Sequence, residues 1–261
     1  MIPLFSTKGL QRLEQIVKPG LLCAFDFDGT LAPIVLKPEE ACLPADVQLR
    51  LLALSRHVPL AIISGRHVAD IRERLGFEPD YLLGNHGQEG LPGWEEKAAE
   101  HEEMCIAWSE ILLHALHTDA RFERSIWLEN KRYSLSLHYR LARDQWQTEA
   151  VLKELFSRLQ PAPRVIAGKY TFSLVPQDAA DKGAALAQLI SISGASGAVY
   201  VGDDVTDEDV FRSQRADVMS VRIEYDADSA ADYFLEEPSQ IVQFLDELCK
   251  RLSALRGEGI A

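Results

Sequence analysis

Residues 21–30 read LLCAFDFDGT, an apolar run that leads directly into two aspartates, Asp26 and Asp28. A short run that is apolar at consecutive positions is typical of a strand buried on both faces of a parallel sheet. Side chains alternate along a strand, so the two carboxylates are predicted to point the same way at its carboxyl end. Carboxylates placed so close together repel each other unless a cation lies between them. The stretch therefore indicates a site for a hard cation, with one aspartate as nucleophile and the other as general acid and then base.

Other short apolar runs also end in polar residues. Residues 59–63 precede Ser64-Gly65-Arg66, residues 81–83 precede Gly84-Asn85-His86, and residues 198–201 precede Gly202-Asp203-Asp204. Helical patterns separate the runs at residues 46–54, 68–75 and 182–190. This alternation of strands and helices predicts an α/β fold with a doubly wound parallel sheet. Ligands of such sheets bind beyond the carboxyl ends of the strands, where these polar residues are predicted to lie.

The polar residues at the strand ends suit phosphoryl transfer. Asp203, Asp204 and Asp207 offer further oxygen ligands for a cation. Lys182 opens a predicted helix, and its ammonium would neutralise both a phosphate and a nucleophilic aspartate. Ser64 lies at a strand-to-helix turn, where a hydroxyl and backbone N–H groups form a ready anion site. Together these residues predict a site at which a phosphoryl group is bound and transferred.

The charge of the chain limits its partners. Its 261 residues carry a formal net charge of −13, which argues against binding to nucleic acid or to an anionic membrane. The four cysteines are scattered without metal-binding spacing, and the sequence shows neither a signal pattern at its start nor an apolar run of transmembrane length. We therefore expect a cytoplasmic protein that acts on a small molecule and has no obligatory protein partner.

The middle third of the chain follows a different pattern. Residues 95–117 and 147–159 predict helices, and the stretches 126–139 and 164–175 predict two hairpins. The α/β pattern resumes at Lys182. The sequence therefore predicts an α+β domain at residues 88–176, inserted into a core domain formed by residues 1–87 and 177–261. The predicted apolar face of the first helix consists of Met104, Ile106, Trp108, Ile111, Leu112 and Leu116.

The motifs at the strand ends resemble those of the haloacid dehalogenase (HAD) superfamily, and more closely those of the trehalose-6-phosphate phosphatase family. The matching stretches are DFDGTLAPI at residues 26–34, SGR at 64–66, Lys182, and GDDVTDE at 202–208. The resemblance implies that Asp26 is the nucleophile and Asp28 the general acid and base. It also implies that Ser64, Gly65 and Lys182 bind the phosphate. The implied fold is α/β, with a HAD-type doubly wound parallel-sheet core and an inserted α+β cap domain.

The same resemblance implies a Mg²⁺ cofactor. In the family, the ion is held by the carboxylate of the nucleophile, by the main-chain oxygen of the acid/base aspartate and by an aspartate of the last motif. These ligands correspond to Asp26, Asp28 and Asp203, with Asp204 as the second candidate for the last position.

The resemblance extends into the inserted domain, which would be a C2-type cap that closes over the sugar. The sugar contacts that it implies are Arg66, His86, Lys131, Arg140 and Lys169. One stretch departs from the family pattern, because Ser173 and Val175 stand where the family has an acidic and a basic residue before Pro176. A site that loses a hydrogen-bond partner for a hydroxyl loses discrimination, so the departure bears on specificity. The implied function is Mg²⁺-dependent hydrolysis of trehalose 6-phosphate to trehalose and phosphate.

Other functions are compatible with the same residues. One is a phosphatase for another sugar phosphate, such as glucosyl- or mannosyl-3-phosphoglycerate or sucrose 6-phosphate. A sugar phosphomutase would also form an aspartyl-phosphate, but recognition of a bisphosphate requires extra basic residues, and the net charge of −13 argues against them. A non-catalytic sugar-phosphate sensor would have no use for the complete set formed by Asp26, Asp28, Lys182 and Asp203.

Overall fold

The computed structural model describes residues 1–35, 38–122, 125–168, 170–255 and 257. The chain divides into two compact units, which we call the core unit (Met1–Leu91 and Ala180–Ala261) and the insert unit (Pro92–Ala179). The insert unit thus begins at residue 92 instead of 88 and ends at residue 179 instead of 176. The assignment of catalysis to the first unit and of sugar recognition to the second stays a prediction. None of the helices in the described stretches combines the length and the hydrophobicity that a membrane span requires.

The helices and strands are numbered in chain order. The core unit begins with β1 (Ile2–Pro3), α1 (Thr7–Ile16), β2 (Leu21–Phe25), α2 (Ala45–Leu54), β3 (Leu60–Ile63), α3 (Val68–Leu75) and β4 (Tyr81–Leu83). The insert unit contains α4 (Glu95–Thr118), β5 (Trp127–Asn130), β6 (Leu135–His138), α5 (Gln145–Phe156), β7 (Arg164–Gly168) and β8 (Thr171–Val175). The chain returns to the core unit with α6 (Lys182–Ser193), β9 (Gly197–Gly202), α7 (Glu208–Phe211), β10 (Val218–Ile223), β11 (Tyr233–Leu235) and α8 (Gln240–Leu255).

The sheet of the core unit is parallel, with the strand order β1-β11-β10-β9-β2-β3-β4. β2 lies inside this sheet and is buried at every position, as its uninterrupted apolar sequence predicts. Cys23 and Phe25 join a core that also contains residues of α1, α2, α3 and α8, while Leu22 and Ala24 are buried on the opposite face. The predicted doubly wound α/β fold is therefore confirmed.

The order of the strands fixes where a ligand is expected. The chain leaves β2 towards β3 and β4 on one side, and it returns through β9 on the other side of β2. The direction of winding therefore reverses between β2 and β9. In doubly wound sheets, ligands bind beyond the carboxyl ends of the strands at such a switch point.

The sheet of the insert unit is antiparallel, with the order β5-β6-β8-β7. One face is buried against the two helices of the unit, where Trp108 and Leu152 pack with Leu137 and Phe172. Period-2 alternation in β6 and β8 explains this face, because every second side chain of a strand points the same way.

The predicted apolar face of α4 is wrong at two positions. Ile106 is 48% exposed and Ile111 is 44% exposed. The buried positions are Cys105, Trp108 and Leu112, which follow each other at the three- and four-residue steps of one helix face. Each isoleucine lies one residue away from this stripe, so its side chain is rotated out of the interface.

Candidate active site

The ends of β2 and β9 meet at the switch point of the core sheet. Phe25 pairs with Val201, and the backbone N–H of Asp26 donates to the carbonyl of Val201 at 2.9 Å. The pairing therefore brings the residues that follow the two strands to the same edge of the sheet. Carboxylate oxygens of Asp26, Asp203 and Asp207 all lie within 4.8 Å of one another. We call these three residues the acidic cluster.

The turn after β2 positions Asp203. Thr30 Oγ1 donates a hydrogen bond of 3.0 Å to Asp203 Oδ1. Gly29 has a φ of +78°, a left-handed conformation that glycine adopts without strain. A β-carbon on Gly29 would also clash with the Asp203 carboxylate, so a larger residue there would push Asp203 out of the cluster.

Lys182 enters the acidic cluster from the first turn of α6. Asp181 caps this helix by accepting a hydrogen bond of 2.8 Å from the backbone N–H of Ala184. The lysine is only 1% exposed, and its Nζ lies 3.0 Å from Asp26 Oδ1 and 2.8 Å from Asp207 Oδ1. Lys182 therefore places a fixed positive charge beside the predicted nucleophile.

Asp207 differs from the other two carboxylates of the cluster. Its Oδ1 accepts hydrogen bonds from Lys182 Nζ at 2.8 Å and from the buried hydroxyl of Tyr200 at 2.6 Å. Its Oδ2 accepts from the backbone N–H groups of Asp203 and Asp204, at 3.0 and 2.9 Å. A carboxylate offers about four lone-pair sites, and these donors occupy them. Asp207 therefore anchors Lys182 and the turn after β9, and its oxygens are less available to a cation than those of Asp26 and Asp203.

Burial and the neighbouring carboxylates disfavour the ionised forms of Asp26 and Asp203. Burial raises the pKa of Asp26 above its ordinary value, Lys182 opposes this shift and Asp207 adds to it. Burial also raises the pKa of Asp203 to about 6, against the hydrogen bond from Thr30. Burial by itself would lower the pKa of Lys182, but Asp26 and Asp207 together raise it above its ordinary value. A charged lysine is thus not enough to stabilise the ionised forms of its carboxylate neighbours.

The residues of the cluster fit a Mg²⁺ ion. Asp26 and Asp203 present carboxylate oxygens within 4.8 Å of each other, and Mg²⁺ prefers such hard oxygen ligands. Burial is the main cause that raises the pKa of both groups, and a divalent cation between them would stabilise the ionised carboxylates against it. The side chain of Asp204 is exposed and lies outside the acidic cluster. The geometry therefore favours Asp203 over Asp204 as the ligand that follows β9.

Two aspartate variants should separate these candidates. We expect Asp203→Asn to weaken Mg²⁺ binding by at least about tenfold, since it removes a charged ligand oxygen, and Asp204→Asn to change it by less than about threefold. The measurement is a calorimetric titration of each purified variant with MgCl₂. The opposite order of effects would show that Asp204 is the ligand and that Asp203 only supports the turn.

Ser64, Gly65 and His86 meet at the end of β3. The backbone N–H of Ser64 donates to the carbonyl of Leu83 at 3.0 Å, and its Oγ accepts from the backbone N–H of Arg66 at 3.2 Å. The backbone N–H of His86 donates to the carbonyl of Ser64 at 2.8 Å. The imidazole lies against Gly65, where a β-carbon would be 2.6 Å from His86 Cε1. Predicted phosphate-binding and sugar-binding residues are therefore neighbours here.

Arg66 holds the predicted acid/base residue, Asp28. Its Nε and Nη2 donate to Asp28 Oδ2 and Oδ1 at 2.6 and 2.7 Å, a two-pronged ion pair that fixes the orientation of the carboxylate. Arg66 Nη1 also donates to Asp70 at 2.8 Å, and Arg74 binds the same Asp70 through hydrogen bonds of 2.9 and 2.7 Å. The sugar contact of Arg66 stays a prediction, whereas its contact with Asp28 is a feature of the structure.

The insert unit holds the remaining predicted sugar contacts. Lys131 Nζ lies 3.8 Å from Glu129 Oε2. Arg140 is exposed, and its carbonyl accepts a hydrogen bond of 2.7 Å from Gln145 Nε2. Lys169 lies outside the described residues. The roles of these residues in sugar recognition stay predictions.

Thr30, Tyr200 and Asp70 belong to the site although the sequence analysis did not single them out. Asp70 lies in the first turn of α3, four residues after Arg66, which precedes the helix, and a pair of opposite charges at this spacing can be recognised in the sequence. Thr30 directly follows the tight turn, where a hydroxyl often bonds to a nearby group. Tyr200 had no such signal, because a tyrosine in a buried strand is ordinary in an apolar core.

The fold and the position of the site define the class of the protein. A carboxylate directly after the inner strand β2, paired with a buried lysine at the switch point, is the arrangement of the HAD-type phosphoryl-transfer fold that the motifs resemble. The Aspergillus fumigatus trehalose-6-phosphate phosphatase is a solved structure of the same architecture. It matches with a TM-score of 0.72 at 26% sequence identity, over 96% of this chain and 99% of that one.

The sequence narrows this class to one family. A family model described as trehalose-phosphatase matches residues 24–239, so the chain belongs to the trehalose-phosphatase family. The trehalose-phosphate phosphatase of Mycobacterium marinum is 30% identical over 260 residues, and that of Mycobacterium avium is 33% identical over 250 residues. The alignments cover 95% and 90% of this chain. The chain spans 66% and 63% of the length of these two relatives.

Proposed function

We propose that this chain hydrolyses trehalose 6-phosphate to trehalose and inorganic phosphate, with Mg²⁺ as cofactor and with Asp26 as the nucleophile. The observation that carries the proposal is the ion pair of 3.0 Å between Asp26 and Lys182, next to Asp203 at the switch point. Membership of the trehalose-phosphatase family and the names of similar proteins support the choice of substrate.

In the first step, Asp26 attacks the phosphorus atom, and the bond between phosphorus and the sugar oxygen breaks. Asp28 donates a proton to the departing oxygen, so that trehalose leaves as a neutral alcohol. Ser64 and Gly65 bind oxygens of the transferred group, and Lys182 offsets its negative charge. The product of this step is a phosphate ester of the Asp26 carboxylate.

In the second step, water attacks the phosphorus atom of the aspartyl-phosphate. Asp28, now ionised, takes a proton from the water, and the bond between phosphorus and Asp26 breaks. Phosphate leaves and the Asp26 carboxylate is restored. Arg66 supports this second step, because its paired hydrogen bonds of 2.6 and 2.7 Å hold the ionised Asp28 carboxylate in one orientation.

We assign Mg²⁺ binding to the carboxylates of Asp26 and Asp203 and to the main-chain oxygen of Asp28. When bound, the ion supplies charge stabilisation for the oxygens of the transferred phosphoryl group. We assign recognition of the sugar to Arg66, His86, Lys131, Arg140 and Lys169. The expected cytoplasmic location stays a prediction from the sequence.

Removal of the metal tests this assignment. We expect EDTA to abolish phosphate release from trehalose 6-phosphate and Mg²⁺ to restore it. Ca²⁺ should restore no more than about a tenth of the rate, because it prefers more ligands at longer distances than an in-line transfer site offers. The measurement is phosphate release by the purified chain after dialysis against EDTA. Equal rates in EDTA and in Mg²⁺ would contradict the assignment of a metal to this site.

A further inference from the structure

The sheet of the insert unit has a face that its helices do not cover. Trp127 and Glu129 lie two residues apart on the edge strand β5, so their side chains point to the same face. Their register partners on β6 are His138 and Ser136. Ser136 is in turn paired with Ser173 on β8, and the two hydroxyls lie 3.4 Å apart. Because side chains alternate, these residues share the face opposite the leucines of the buried core. We call it the open face.

An aromatic side chain is held on this face in one orientation. The ring of Trp127 stacks on the imidazole of His138, with centroids 3.9 Å apart and an angle of 9° between the planes. His138 Nε2 is in turn within hydrogen-bond distance of Glu129 Oε2, at 3.1 Å. Trp127 is nevertheless 52% exposed. The structure thus fixes one side of the indole against protein and leaves a large part of its surface accessible.

The groups beside the indole are those that bind sugar hydroxyls. Glu129 offers a carboxylate acceptor, Lys131 an ammonium donor 3.8 Å from that carboxylate, and the half-buried Ser173 a hydroxyl, whereas Ser136 is buried behind them. A pyranose ring has an apolar face of C–H groups and a rim of hydroxyls. A flat aromatic surface next to convergent polar groups suits both parts of such a ring.

The open face has fewer carboxylates than the family pattern, and this difference suggests a role for the aromatic ring. Ser173 stands where the family pattern that this chain resembles has an acidic residue, and Ser173 lies in the same cross-strand row as Glu129 and Ser136. Among the described residues of that row, Glu129 is therefore the carboxylate that remains. The loss of one carboxylate contact weakens binding of the sugar. Stacking of the sugar on Trp127 would compensate for this loss.

We propose that Trp127, supported from behind by His138, is a stacking platform for a glucose ring of the substrate and determines the preference for a disaccharide phosphate. The inference rests on the proposed function, because it takes trehalose 6-phosphate as the substrate. It names a specificity-determining residue in the insert unit, and it requires no change in the chemistry at Asp26.

The test compares Trp127→Ala with Trp127→Phe and with Trp146→Ala. Trp146 is a matched control, because it lies in the same unit on α5 and is 84% exposed. We expect Trp127→Ala to raise KM for trehalose 6-phosphate by roughly tenfold, with kcat on p-nitrophenyl phosphate unchanged within about twofold. Trp127→Phe keeps an aromatic face and should recover most of the loss. Trp146→Ala should behave like wild type.

A second measurement follows binding of the sugar in the absence of phosphate hydrolysis. Titration with trehalose should change the intrinsic fluorescence of the wild-type protein and of Trp146→Ala, and it should leave that of Trp127→Phe unchanged. Equal KM values for Trp127→Ala and Trp146→Ala would overturn the platform. So would a fluorescence response to trehalose that persists in Trp127→Phe. A wild-type protein that hydrolyses p-nitrophenyl phosphate but not trehalose 6-phosphate would instead overturn the proposed function, and the fluorescence titration would then decide on the platform alone.

Discussion

We expect Asp26→Asn to lower kcat on trehalose 6-phosphate by at least about a thousandfold, because the amide that replaces the carboxylate is not a nucleophile. The loss should be equally large on p-nitrophenyl phosphate, since every substrate of this site passes its phosphoryl group to the same carboxylate. The measurement is phosphate release at saturating Mg²⁺ by protein freed of host phosphatases.

The fold should survive this substitution. Asparagine keeps an oxygen that can accept the hydrogen bond from Lys182, which lies 3.0 Å from Asp26 Oδ1. Burial raises the pKa of Asp26, so the ionised side chain costs stability at pH values above the ordinary pKa of an aspartate, and the amide removes that cost. We therefore expect a Tm in EDTA that lies within about 3 °C of wild type or above it. A well-folded Asp26→Asn protein with about a tenth of the wild-type activity would contradict the aspartyl-phosphate mechanism.

Asp207→Ala should have the largest effect on stability. The substitution leaves the buried ammonium of Lys182 with one carboxylate instead of two, and it removes the acceptor of the Tyr200 hydroxyl and of two backbone N–H groups. Removal of one partner from a buried charge pair costs about 3–5 kcal/mol. At about 2–4 °C for each kcal/mol in a protein of this size, Tm should fall by roughly 6–20 °C. Thermal unfolding followed by circular dichroism measures this shift.

The Tm of Asp207→Ala in EDTA and in Mg²⁺ distinguishes two roles of Asp207, an anchor for Lys182 and a ligand of the ion. If Asp207 anchors Lys182, the loss in Tm is the same in EDTA and in Mg²⁺, because the broken contacts do not include the ion. If Asp207 also binds the ion, the loss in Tm is larger in Mg²⁺ than in EDTA, because a ligand of the stabilising ion is removed as well. Asp204→Ala is the matched control, since this exposed aspartate lies in the same turn and should change Tm by less than about 2 °C. Tyr200→Phe should give an intermediate loss of about 1.5–3 kcal/mol, the value of a hydrogen bond to a charged group.

The position of the candidate site could be predicted from the sequence because parallel strands allow few arrangements. Asp26 and Asp203 each follow an uninterrupted apolar run, and such runs become inner strands whose carboxyl ends share one edge. Lys182 at the start of a helix and Ser64 after another strand reach the same edge by the same rule. These expectations depend only on local pattern and on sheet geometry, which is why they could be stated without the structure.

Contacts between side chains could not be predicted in this way. Asp207 has the same chemistry as Asp203, and only the structure shows that buried donors already occupy its oxygens. Arg66 carries a charge that suits a sugar phosphate, yet both prongs of its guanidinium bind Asp28. In both cases the partner depends on three-dimensional distance and not on spacing along the chain.

The exposure of individual side chains could not be predicted from the sequence either. Ile106 falls within the apolar pattern of α4 but lies one step from the buried stripe and is exposed. Trp127 had no sequence signal as a ligand site, because an aromatic residue in a predicted strand is usually part of a core. Its stack with His138 and its exposure follow from the pairing of two strands across a hairpin.

A comparison of kcat/KM values in Mg²⁺ across sugar phosphates identifies the substrate. The purified chain is assayed for phosphate release from trehalose 6-phosphate, sucrose 6-phosphate, glucosyl-3-phosphoglycerate, mannosyl-3-phosphoglycerate and glucose 6-phosphate. We predict the highest kcat/KM for trehalose 6-phosphate, by at least about tenfold over every other compound. A similar margin in favour of another sugar phosphate would rule out trehalose 6-phosphate as the substrate, and it would show that Ser173 and Val175 mark a changed specificity on the same catalytic core.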